Sequence, residues 1–126
     1  MNITFLSQKE AEKIMPNSDM AIISVAEDQN KVNLSSNWKN ILKLEFDDID
    51  PEEMENMRGV LGSSTVDRML KNARLFSDNN ALELINFVSS LPKEVNHIYI
   101  HCKAGRSRSP AIAMFLAEKI GVKVDT

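Results

Sequence analysis

The chain has 126 residues, 43% of them apolar and 26% charged, and a net charge of −3. That is enough for one core, so 1–126 is expected to be a single soluble domain. The charge excludes a general polyanion binder, no apolar run approaches the roughly 20 residues of a membrane span, and one cysteine excludes an internal disulfide. With no basic region followed by a long apolar stretch at the start, no signal peptide is evident, and a reducing cytoplasm is the expected compartment.

In chain order, residues 2–6 are expected to form a first strand. Ser7 and Glu10 then fit a capping box, which predicts a helix to about Met15, stopped by Pro16 and Asn17. Residues 20–26 are nearly all apolar, as suits a strand buried on both faces of a parallel sheet. Residues 27–40 are polar and read as a loop, in which Trp38 is expected to pack at an edge rather than stack on a substrate. Residues 41–46 make a third strand, with Lys43 and Glu45 pointing outward.

An acidic stretch follows, with Asp47, Asp48 and Asp50 ahead of Pro51. In a doubly wound sheet, function gathers beyond the carboxyl ends of the strands, and this stretch lies at such an end. Residues 52–90 read as helices in two or three pieces, broken at Gly59 and Gly62, with Asp78, Asn79 and Asn80 interrupting or capping. Their apolar stripes are core by default, and no cofactor box is visible in them.

Residues 97–100 read as a short apolar strand, followed by a tight polar loop beginning at Cys102. A helix is expected over 111–120, with Ser109 as N-cap, Pro110 in the first position and Gly121 past the end. A strand, loop and helix of this kind aim backbone N–H groups at one point, which is an anion site. Cys102 and Arg108 stand six positions apart, so the loop can wrap a tetrahedral oxyanion with the thiol beneath it and the guanidinium gripping two oxygens. Such surroundings bring a thiol from about 8.5 down to roughly 3.5–7.5. Ser109 is placed to donate to the sulfur, and Gly105 allows a turn that a side chain would obstruct.

His101, Cys102, Gly105, Arg108 and Ser109 spell the Cys-x5-Arg-Ser/Thr signature. The loop resembles that of the cysteine-dependent protein tyrosine phosphatases, and its His-Cys-x-x-Gly-x-x-Arg-Ser form is most similar to the dual-specificity branch. The resemblance implies an α/β fold, with a central, mostly parallel sheet flanked by helices around a phosphate-binding strand–loop–helix. It implies phosphate monoester hydrolysis through a cysteinyl-phosphate, with no cofactor and no metal. Cys102 is the implied nucleophile, and residues Lys103, Ala104, Gly105, Arg106, Ser107 and Arg108 the implied phosphate loop. Ser109 is implied to assist thiolate departure and His101 to tune the thiol, with packing at the strand end as its alternative role.

The family's general acid is an aspartate on a loop after a neighbouring strand. Asp48 fits best, with Asp47 and Asp50 beside it, although it lies farther from Cys102 than is usual. Asp78, twenty-four residues before the cysteine, is the rival. The expected partner is a phosphorylated protein, with no nucleic acid. Lys103 and Arg106 make the loop similar to those of phosphatidylglycerophosphate and phosphoinositide phosphatases, so a phospholipid headgroup is the alternative substrate. A phosphate-binding module without turnover is the alternative outside enzymes. Family members usually continue with further helices, which implies a truncated or unusually short member.

Overall fold

The computed structural model describes residues 1–46, 56, 58–60, 62–64, 77–103, 105, 112–113, 115–118 and 123–125. Strand β1 (Asn2–Ser7) leads into helix α1 (Gln8–Glu12), followed by β2 (Met20–Ala26), a 3-10 turn over Gln29–Lys31 and β3 (Ile41–Glu45). Helix α2 (Asp78–Ser89) precedes β4 (His97–Cys102), and β5 (Lys123–Asp125) comes last. The strands form one sheet in the order β3-β2-β4-β1-β5, and all its pairings are parallel. This is an α/β architecture with β4 in the middle of the sheet, as the sequence led us to expect at the level of fold class.

Strand pairing brings the carboxyl ends of the strands together at one edge. Ser7 lies opposite Cys102, and both Leu6 and Ser24 lie opposite His101. Side chains alternate across a pleated sheet, so neighbouring residues serve opposite faces. On one face Ala21, Ile23, Val25, Leu44, Ile98, Ile100 and Cys102 pack with Leu84 and Val88 of α2 and with Ile112, Ala113 and Leu116. On the other, Ile22 and Trp38 pack with Ala11 of α1, backed by Leu6, Ile14 and Tyr99. Trp38 is buried and meets Tyr99 edge-on, with ring centroids 6.3 Å apart, which agrees with a packing role.

The local signals act as expected in several places. The Ser7 hydroxyl accepts from the Glu10 N–H while the Glu10 carboxylate accepts from the Ser7 N–H, a closed capping box. Residues 58–60 are helical, so Gly59 is no break, whereas Gly62 takes φ +88 and its N–H closes onto the Arg58 carbonyl. That is a left-handed helix C-terminus, for which glycine is the natural residue.

Several boundaries differ from expectation, and the smallest shifts are at β1, which runs to Ser7 rather than Leu6, and at β3, which stops at Glu45 rather than Phe46. Helix α1 stops at Glu12, with Lys13 as C-cap, rather than continuing to Met15. Strand β4 runs through His101 and Cys102 rather than ending at Ile100, because both residues find strand partners in β1. Of the two readings for Asp78, Asn79 and Asn80, capping is the one observed: they form the first turn of α2, where Ser77 and Asn80 make a second capping box. Strand β5 has no counterpart among the expected elements, and it pairs with Asn2–Thr4 of β1.

Candidate active site

The site is built on the end of β4. Cys102 is the last residue of that strand and is 2% exposed, with its side chain on the face covered by α2 and by Ile112, Ala113 and Leu116. Just past the strand the chain has already turned back. The Gly105 N–H donates to Cys102 Sγ at 3.2 Å. An N–H aimed at sulfur favours its ionised form, whereas apolar surroundings oppose it.

Gly105 holds this position at φ +70. A Cβ there would stand 2.8 Å from the carbonyl carbon of Leu6 and 2.8 Å from the nitrogen of Ser7. The glycine is therefore needed twice, for its left-handed backbone and for its close approach to the end of β1. The Gln8 N–H, at the start of α1, also donates to the Lys103 carbonyl at 3.3 Å. The junction of β1 and α1 thus braces the loop that follows Cys102.

His101 points to the opposite face and is fully buried. Its Nε2 lies 2.6 Å from Ser24 Oγ on β2, and that hydroxyl donates to Gln29 Oε1 at 3.1 Å. Gln29 is a residue that sequence reasoning passed over. It sits in the polar segment after β2, and nothing local marks it.

Lys103 is exposed at the mouth of a cleft of about 250 Å³, shared with Gln8, Ala26, Glu27, Asp28 and Lys31. Acidic and basic groups alternate there, so the described surroundings of Lys103 are mixed in charge rather than a basic wall. Asp78 is exposed in the first turn of α2, where a carboxylate favours the helix N-terminus. Asp47, Asp48, Asp50, Ala104, Arg106, Ser107, Arg108 and Ser109 lie outside the described residues.

The structure therefore brings together Cys102, Gly105 and the braced carbonyl of Lys103, with His101 on the reverse side of the same strand end. Among the described residues no group of three or more His, Cys, Asp or Glu side chains comes together to hold a metal ion, and no helix is long and apolar enough to cross a membrane. No protein-family model, curated protein or solved structure matches the chain.

Proposed function

We propose that the chain is a cysteine-dependent phosphatase, similar to the dual-specificity branch, which hydrolyses phosphate monoesters through a cysteinyl-phosphate. The observation that supports this best is the turn after β4. A buried thiol at the end of the central parallel strand receives the N–H of Gly105, and that glycine is seated where no side chain fits. A loop that turns an amide back toward a sulfur is suited to an anion placed over that sulfur.

In this reading the Cys102 thiolate attacks phosphorus in line. The P–O bond to the leaving group breaks, and Asp48 gives that oxygen its proton. The loop amides and the Arg108 guanidinium bind the three equatorial oxygens as charge gathers on them. Water then attacks the cysteinyl-phosphate, losing a proton to Asp48, and the S–P bond breaks to release phosphate. Ser109 stabilises the departing thiolate. The substrate we favour is a phosphorylated protein, and the compartment a reducing cytoplasm.

The test is hydrolysis of p-nitrophenyl phosphate at mildly acidic pH by the wild type and by Cys102→Ser. Turnover that disappears in the variant is the expected result, and turnover that survives there overturns the mechanism. Asp48→Asn is expected to lower turnover by about 10²–10⁴-fold, the usual contribution of a general acid. The same loss in Asp78→Asn, with Asp48→Asn unaffected, would move that role to Asp78.

A further inference from the structure

The hydrogen bonds beneath His101 can be assigned one proton at a time. Gln29 follows β2 in the 3-10 turn, and its side chain folds back onto the sheet. Its Nε2 donates to the Ser24 carbonyl at 3.0 Å and to the Leu44 carbonyl at 3.1 Å. Carbonyl oxygens only accept, so these two bonds orient the amide and leave Oε1 facing Ser24. Oε1 also only accepts, so the single hydrogen of the Ser24 hydroxyl is committed to it at 3.1 Å. At its 2.6 Å contact with His101 Nε2, Ser24 Oγ must then be the acceptor, and Nε2 must carry a hydrogen. Ser24 and His101 are both fully buried, and the Gln29 N–H is itself anchored on the Glu45 carboxylate at 2.9 Å.

We infer that Gln29 is a positioning residue for the thiol site: acting through Ser24, it holds His101 as the Nε2–H tautomer, so the ring that precedes Cys102 exchanges its proton only at Nδ1. The purpose of this arrangement rests on Cys102 being the nucleophile. With Nε2 committed, the neutral Nδ1–H tautomer is closed to the ring. When Nδ1 is a donor the ring is therefore an imidazolium, and a cation there favours the thiolate of the next residue. From α1 the Glu12 carboxylate couples electrostatically to this ring. It is held below its ordinary value first by the Asn33 N–H, then by the Gln8 side chain and by the charge of His101. Ser24 meets the ring from β2 as a neutral group, with neutral Gln29 behind it, and Lys103 adds an exposed cation beyond Cys102.

If Gln29 only staples the ends of β2 and β3 together, removing it changes stability and leaves the tautomer alone. The experiment is the nitrogen-15 spectrum of the imidazoles above their titration. The chain has only two histidines. His97, whose Nε2 lies 2.8 Å from Thr4 Oγ1, serves as internal control. In the wild type, His101 should show a protonated Nε2 and an unprotonated Nδ1. In Gln29→Ala the freed Ser24 hydroxyl can donate to Nε2, so the ring should shift toward the Nδ1–H form. Alkylation of Cys102 by iodoacetamide at neutral pH should also slow several-fold.

A wild-type ring protonated at Nδ1 overturns the inference without any variant. A folded Gln29→Ala with an unchanged tautomer overturns it as well. Neither measurement uses turnover. A locked tautomer in a chain inert toward p-nitrophenyl phosphate would remove the phosphatase reading and keep the relay. Full turnover with an Nδ1–H ring would do the reverse.

Discussion

On one face of the sheet Ile23, Val25, Leu44, Ile98 and Ile100 meet α2 together with Ile112, Ala113 and Leu116, whereas on the other Ile22 shares its layer with Ser24, Tyr99 and His101. The same strands supply both faces, one residue out of step. Among the described residues the core of the first face is apolar, and its one chemically reactive member, Cys102, stands at its edge. The second face has a shorter cover, five-residue α1 and the polar segment before β3, and it tolerates buried polar groups such as Ser24 and His101 because they bond to each other and to Gln29. A thick apolar layer fixes where the thiol stands. A thin polar layer fixes what the adjacent histidine does with its protons.

The contrast between the faces is tested most severely by emptying their cores. Ile23→Ala should cost toward the upper end of about 2–5 kcal/mol, because two helical covers hold its cavity open. Ile22→Ala, one residue away, should cost toward the lower end of the same roughly 2–5 kcal/mol, because a five-residue helix can settle into the space. Both side chains are fully buried. Equal losses in denaturant midpoint would show that the two faces are equally rigid.

Gly105→Ala is next. A left-handed alanine costs on the order of 1–3 kcal/mol, and the added Cβ would also press on the Leu6 and Ser7 backbone. A drop in melting temperature together with lost turnover is expected. Unchanged stability would mean that the loop is not held against β1.

Ser7→Ala removes the capping box of α1, at about 0.5–2 kcal/mol, and should loosen the thin face while leaving the thick one intact. Hydrogen exchange at α1 compared with α2 would read this difference.

The smallest effect is that of acid. The Ser7 N–H, then its hydroxyl, holds the Glu10 carboxyl below its ordinary value. Because the folded form binds this proton less readily than the unfolded chain, stability rises with pH through the window between the two values. The contribution is full above the ordinary carboxylate range and is lost as pH falls through the folded value. Glu10→Gln should therefore flatten acid unfolding slightly, and a variant with the wild-type acid profile would contradict the capping geometry.

Much of the thick face was legible in the chain. Residues 20–26 form a strand to the residue, because a nearly continuous apolar run suits burial on both sides. Ser7 and Glu10 cap α1 as their spacing requires, since that signal lies within one turn. Strand β5 was not legible, because three residues carry no period and their partners lie at the other end of the chain. His101 was singled out as tuning the thiol or packing at the strand end, but its partner was not legible because Ser24 is 77 residues away. Gln29 read as an unremarkable polar residue, since its amide matters only where two distant carbonyls and a hydroxyl converge on it.

The sequence by itself determined the α/β class, the strand that leads up to Cys102 and the need for glycine at 105. Those follow from local pattern, from chain chirality and from the spacing of residues along one segment. Only the tertiary structure decided that the end of β1 braces the loop, that β4 extends through the cysteine, and that Gln29 reaches His101 through Ser24. Those depend on pairing between segments far apart in the chain, and parallel strands take their partners through crossovers that no local pattern encodes.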